Sequence, residues 1–413
     1  MDIAKAFRHL GPTQRFEPTD RTVALMMWVV GVGQGFAQSH ASATLPYTRA
    51  GLGISAGEMS ALLSIARLAS FGALFFSLWA DRRGRRRPFL LAYAAICITA
   101  GLSGLAGNAA GFTAAQGGVR IATSALSALA VVLLAENLQP AVRAYGISIY
   151  AAAGSFGAAL ALITLPLAAV NYRVPYLLSL LGLLLFPALY RRVGESRLHR
   201  PTSAPQSRLR ALLVGEQRRW FWISGTAGFL TSAYFAVGLA FTTERLVGEL
   251  GLSSGAALGI SLGGGTLGGV GFFLGGRLAD RWGRRPTTVL AVAAALVGGL
   301  GLFWLRSPLL LLVAVVISAF GSFAYVPAAG SHRAELFPTS MRATAAAAST
   351  AVGTLGSASG LALGRITIDQ IGLTGTISLL GVGMGLAAGL TLLLPETRGR
   401  ELGHASDWYP AEI

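Results

Sequence analysis

Charge is scarce in this chain, and cysteine scarcer still. Only 12% of its 413 residues are Asp, Glu, Lys or Arg, against about 25% in a soluble globular domain. The single cysteine, Cys97, excludes a disulfide framework and a cysteine-built metal site. Lysine occurs once, at Lys5, and every other basic residue is arginine, which reads as compositional bias. No G-x-x-x-x-G-K-[ST] loop occurs, so ATP-driven pumping by this chain alone is not expected. There is no metal-spaced histidine cluster and no carboxylate pair in the middle of an apolar run. The expectation is therefore no enzyme, no cofactor and no metal.

What fills the chain is apolar sequence, 53% of it. A helix of about 20 apolar residues crosses a hydrocarbon core. Twelve such stretches are predicted, near 22–45, 58–79, 88–107, 112–135, 144–169, 174–190, 220–243, 255–279, 286–305, 308–331, 343–366 and 373–394. They are too long for buried strands, and strands would leave open edges in lipid. The first is too long for a cleaved signal peptide, and a polar arm precedes it. The 54 glycines suit closely packed membrane helices; "GISLGGGTLGG" (259–269) reads as a packing surface, since no strand precedes it.

The net charge of +16 would suit a nucleic-acid binder, but the arginines sit in short blocks between apolar runs. That pattern is one of membrane topology. Putting both termini and the loops after even-numbered spans on one side collects 26 of the 33 Lys/Arg there. Positive residues stay inside, so both termini are expected in the cytoplasm of a bacterial inner membrane. The expected division is a cytoplasmic arm (1–21), a six-span bundle (22–190), a linker (191–219), a second six-span bundle (220–394) and a cytoplasmic tail (395–413). Within the linker, "LRALLVGEQRR" could lie on the membrane as an amphipathic helix.

Two charged motifs recur at one offset. "WADRRGRRRP" (79–88) is echoed by "LADRWGRRP" (278–286), and "AENLQPAVRA" (135–144) by "AELFPTSMRA" (334–343). Asp81 and Asp280, Glu136 and Glu335, and Arg143 and Arg342 are each 199 residues apart. One offset for two unrelated motifs implies a duplicated six-span unit, an arrangement known in transporters. The sequence resembles the major facilitator superfamily over essentially its whole length. The signature G-x-x-x-D-R-x-G-R-R is complete at Gly276, Asp280, Arg281, Gly283, Arg284 and Arg285. The first copy has Asp81, Arg82, Gly84, Arg85 and Arg86, with Ser77 in place of the glycine. E-x6-R at both sites and "PETRGREL" (395–402) are similar to sugar porters and organic-ion transporters, with "GESR" (194–197) a weaker echo.

The resemblance implies an all-α membrane protein of twelve helices in two pseudo-symmetric bundles, working by alternating access. It also implies a cytoplasmic gate. A carboxylate at a helix C-terminus needs a partner against the dipole, and the arginines around Asp81, Asp280, Glu136 and Glu335 supply one. Arginines that only fix topology and bind anionic headgroups are the other reading. His332 and Arg333, beside Glu335, are assigned to the gate.

Ionisable groups within spans are functional candidates by default. Arg120 lies 16 residues before Glu136 and matches the superfamily's arginine in the fourth span, with Gln116 one turn earlier on the same face. Together they could hold an anionic or hydroxylated ligand. Ser60, Ser64, Arg67, Ser70, Ser77 and Asp81 form a polar stripe on the second span. In the fold this resembles, the eleventh span faces that stripe with Ser349, Thr350, Thr354 and Ser357. The first span carries Gln34, Gln38 and His40, the last either a coupling-proton site or a hydrogen-bonding spacer. Thr231, Tyr234, Ser322 and Tyr325 are further cavity candidates; Glu244 and Arg245 read as a solvated rim pair or a coupling carboxylate. No acidic residue stands between Arg21 and Pro46, which weakens a proton–sugar symport reading. The expected function is a monomeric secondary carrier of a small organic solute, anionic metabolites ahead of sugars. Multidrug or organic-cation efflux is the alternative.

Overall fold

The computed structural model describes residues 18–73, 75–76, 79–80, 84–138, 140–195, 217–337 and 339–398. The arm, most of the linker with its expected surface helix, and the end of the tail lie outside these residues. Among the described residues the protein is all-helical, without strands. The helices are α1 (Pro18–Ala43), α2 (Leu45–Leu52), α3 (Ala56–Leu68), α4 (Arg86–Leu105), α5 (Ala109–Asn137), α6 (Pro140–Ile163), α7 (Leu165–Val170), α8 (Arg173–Leu178) and α9 (Phe186–Arg192). After the linker come α10 (Arg218–Thr243), α11 (Ser254–Gly268), α12 (Val270–Trp282), α13 (Arg284–Trp304), α14 (Pro308–Glu335) and α15 (Thr339–Leu392). Short 3₁₀ segments follow α3 and α8, and a π-helical turn, Glu244–Glu249, follows α10.

Nine helical spans are long and apolar enough to cross a bilayer among the described residues, or ten if the bent pair Leu45–Leu52 and Ala56–Gly72 is one span. α15 merges two of the expected spans and breaks at Gly372, where φ is +72°. α1 is long enough, but Gln34, Gln38 and His40 dilute its apolar character. Large apolar side chains point outward along many helices, among them Phe75, Val170, Leu184 and Leu309. A surface of this kind belongs in lipid.

Contacts divide the chain into two units. The first comprises Met1–Leu52 with Ala69–Thr202. In it α1 packs on α6 so closely that a Cβ on Gly157 would collide with Val32 O. Phe89, Tyr93, Ile96, Leu126 and Leu133 fill the core beside them. Gln34 ties α1 to α5 and α6: its Nε2 donates to Ser127 Oγ on α5 (2.6 Å), and Tyr150 Oη on α6 donates to its Oε1.

The second unit comprises Gly53–Leu68 with Ser203–Ile413. α3 therefore packs with the carboxy-terminal helices, for local reasons. Ser55 and Glu58 form a capping box: Ser55 N donates to Glu58 Oε2 (2.8 Å) and Glu58 N to Ser55 Oγ (3.1 Å). Asp369 of α15 adds its carboxylate to the same helix start, accepting from Ser55 Oγ (2.7 Å) and Gly57 N (3.0 Å). One turn on, Ser60 donates to Leu361 O (2.7 Å), and Ser64 donates to Ala358 O (2.8 Å). Ser60 and Ser64 of the polar stripe thus meet α15 through backbone carbonyls, whereas Arg67 of the same stripe lines a cavity with the expected Ser349, Thr350, Thr354 and Ser357. The backbones can approach because α15 is glycine-rich here; a Cβ on Gly364 would collide with Ser60 Oγ.

Candidate functional site

The duplicated charged turn builds the same local structure in both units. Gly84 and Gly283 take φ of +94° and +113°, in the region that favours glycine. Each opens a helix whose first amides would otherwise lack acceptors. A carboxylate from far along the chain supplies them. Glu195 accepts from Arg85 N (2.7 Å) and Arg86 N (3.3 Å). Glu396 accepts from Arg284 N (2.8 Å) and Arg285 N (3.0 Å). The arginine side chains repeat as well. Arg86 Nε donates to Val193 O (2.8 Å), with its guanidinium 4.7 Å from the Tyr190 ring centre. Arg285 Nη1 donates to Leu392 O (3.3 Å) and to Leu394 O (3.5 Å), the latter two residues before Glu396 as Val193 is before Glu195. These two glutamates were not among the residues expected to act, although both lie in family-like segments, "GESR" and "PETR".

In the second unit the cluster is extensive. Arg284 joins Asp280 (Nη1–Oδ1, 2.6 Å) to Glu335 (Nη2–Oε1, 3.1 Å; Nε–Oε2, 3.2 Å). Thr397 Oγ1 donates to Glu335 Oε2 (2.6 Å), and His332 Nε2–H donates to Pro395 O (2.9 Å). Asp280 is 74% exposed, whereas Arg284 and Glu335 are each 14% exposed. Arg281 points outward. Asp81 and Arg82 lie outside the described residues, as do the side chains of Glu136, Arg143 and Arg342.

The in-span candidates separate into groups. Arg120 on α5 is half-buried and makes no hydrogen bond or ion pair to any described residue. Gln116, its expected companion, turns away to donate to Ser103 Oγ (3.0 Å). The pairing fails because Ser103 offers a buried acceptor on α4. Gln34 is engaged as described above, and Gln38 is half-buried. His40 is fully buried, edge-on to Phe36 (4.3 Å) and 5.5 Å from the Tyr176 ring. Neither ring nitrogen has a hydrogen-bond partner among the described residues. Thr231 and Ser322 bond back to their own helices, at Ala227 O and Ser318 O. Tyr234 is buried and donates to Leu296 O (3.2 Å). Tyr325 is half-buried against Phe235. Arg67 lines a cavity in the second unit together with Arg333, which sequence reasoning had placed in the gate. Glu244 and Arg245 are 3% and 8% exposed, so a solvated rim pair is wrong. The π-helical turn folds them inward, where Arg245 pairs with Glu249 (2.7 Å) and donates to Leu305 O (3.2 Å).

A sequence model of the Major Facilitator Superfamily matches residues 27–361. The chain belongs to the major facilitator superfamily. No curated protein matches it. Among solved structures, a bacterial homolog of the human lysosomal transporter Spinster is 17% identical, with a TM-score of 0.74 over 92% of this chain and 97% of that one. A D-xylose–proton symporter is 20% identical, with a TM-score of 0.75 over 92% and 99%. The nucleoside transporter NupG is 14% identical, with a TM-score of 0.75 over 90% and 99%. At such identities the likeness is one of fold, and the fold is that of major facilitator transporters, integral proteins with multiple membrane spans.

One titration bears on this major facilitator chain's stability. Burial raises the pKa of Glu396, but backbone donations from Arg284, Arg285, Arg398 and Thr397 outweigh it, and the net shift is downward. A carboxyl whose folded pKa is depressed adds stability that is complete above its unfolded pKa. That stability is lost as pH falls through the folded value. Thermal stability is therefore expected to drop on acidification below the ordinary carboxylate range. Glu396→Gln should flatten that part of the profile and lower stability at neutral pH by about 1–2 kcal/mol. Melting curves of both proteins from pH 7 to pH 3 provide the check; an unchanged acid limb would refute the assignment.

Proposed function

We propose that the chain is a secondary carrier that moves a small organic solute across a bacterial inner membrane. It works as a monomer by alternating access of two six-span repeats, 22–190 and 220–394, with both termini cytoplasmic. The solute is an anionic metabolite in preference to a neutral sugar. Arg120 carries this reading. An arginine inside a span faces a cavity or a counter-charge, and Arg120 has neither a carboxylate nor a carbonyl among the described residues. A solute carboxylate would complete it, with the planar fork donating to both of its oxygens.

The charged cluster of Asp280, Arg284 and Glu335 is the proposed cytoplasmic gate, with the turn at Asp81 as its counterpart. His40 is the residue to test for a coupling proton. The similar folds include a proton-coupled D-xylose carrier and a nucleoside transporter, which supports small organic solutes as the cargo class.

Counterflow in liposomes containing the purified chain tests the reading. Gluconate and benzoate should exchange saturably, glucose more weakly, and tetraphenylphosphonium not at all. Exchange of the cation alone would overturn the anion preference, and unsaturable conductance would overturn the carrier itself.

A further inference from the structure

The second unit holds a cavity of about 380 Å³ that the charged cluster does not use. Its walls come from four helices with different chemistry. α3 contributes Arg67 and α14 contributes Arg333. α15 contributes Ser349, Thr350, Thr354 and Ser357. The last three fall at i, i+4 and i+7, on one helical face. α10 faces them with Phe235 and Leu239, one turn apart. No Asp or Glu lines the cavity among the described residues.

Each group can serve an incoming anion. Arg333 is anchored by one bond, Nε to Ala329 O at 3.1 Å, and its Nη atoms bond to no described residue. The hydroxyls of Thr350, Thr354 and Ser357 donate to Ala346 O (3.0 Å), Thr350 O (3.1 Å) and Thr354 O (2.8 Å) of their own helix. Such back-bonds are weak local ones, and a hydroxyl rotates to donate elsewhere when a better acceptor arrives. Phe235 is braced edge-to-face by Tyr325 (6.1 Å, 63°) and offers an apolar surface opposite the hydroxyls. A cleft lined by charge of one sign concentrates the opposite ion.

We propose that this cavity is an anion site, in which Arg333 and Arg67 hold a carboxylate or phosphate group, the α15 hydroxyls donate to it, and Phe235 packs against an apolar or ring-shaped body. This deepens the carrier reading and rests on it for the solute's identity, but the site itself is testable without a substrate.

The test uses the full chain in detergent with Thr354→Cys as a reporter. Cys97 is 1% exposed and serves as a silent background. The reporter is reacted with anionic sulfonatoethyl and cationic trimethylammonioethyl methanethiosulfonate, each rate being referred to that of free cysteine. The anionic reagent should be favoured by about tenfold or more. The ratio should fall towards one in Arg333→Gln and Arg67→Gln, and return in Arg333→Lys. A ratio of one or below in the reporter protein overturns the proposal, as does a ratio that neither glutamine variant moves.

Occupancy is read by protection, using benzoate, inorganic phosphate and phosphatidylglycerol micelles. Slowed labelling with benzoate or phosphate supports a solute. Protection by phosphatidylglycerol alone gives the site to a lipid headgroup and overturns the solute, and no protection by any probe overturns occupancy. A failed labelling ratio leaves the counterflow test of the carrier untouched, and a null counterflow panel leaves the labelling ratio standing.

Discussion

Arg120→Ala is expected to reduce carboxylate counterflow by about 100-fold while leaving the melting temperature level or slightly higher. A hydrogen bond to a charged group contributes about 1.5–3 kcal/mol, and about 1.4 kcal/mol is a tenfold change in affinity. A guanidinium that holds a solute carboxylate by both arms sits at the upper end of that range. Arg120→Lys keeps the charge but loses the fork, and should recover only part of the flux. The stability half of the prediction separates function from architecture. Arg120 makes no hydrogen bond or ion pair to a described residue, so removing it breaks no polar contact among them and relieves a charge inside a span. Transport lost together with a large fall in melting temperature would make Arg120 a structural residue and end the anion reading.

Arg284→Ala is expected to produce the largest fall in stability. Its side chain links α12 to α14 through Asp280 and Glu335 and is 14% exposed. Truncation leaves the similarly shielded Glu335 with Thr397 as its hydrogen-bond donor. Stranding a largely desolvated charge costs about 3 kcal/mol, or roughly 5–10 °C in melting temperature for a domain of this size. Asp280→Asn should cost far less, since Asp280 is 74% exposed and an exposed pair contributes about 0.2–1 kcal/mol. Glu335→Gln should fall between the two. Melting curves of the three variants settle the order, and a loss at Asp280 equal to that at Arg284 would show that the cluster is not organised around Arg284.

Much of this architecture was legible in the sequence, because lipid leaves a chain few options. Long apolar runs must be helices, and twelve were expected where the described residues are now helical. The family could be read from two motifs at one spacing. The sites were harder to read, because side-chain direction and partner choice are tertiary. Gln116 shares a helical face with Arg120, yet Ser103 on another helix takes its amide. Ser60 and Ser64 were expected to meet hydroxyls and instead meet carbonyls, since small residues let two backbones come together. Glu195 and Glu396 stand inside the family-like segments "GESR" and "PETR". Their work as caps depends on Gly84 and Gly283 being 110 or so residues away in sequence and adjacent in space. Burial of Glu244 and Arg245 followed from a π-helical turn that no periodicity announces.

The bonds that seat α3 carry a consequence for biogenesis. Ser64 and Ser60 wait for carbonyls 294 and 301 positions downstream, and Ser55 for a carboxylate 314 positions downstream. At about 5–20 residues per second, the ribosome needs roughly 15–60 seconds to deliver them. Until then α3 lacks the α15 groups that seat it, and the second unit, to which Gly53–Leu68 belongs, cannot close before most of the chain has been made.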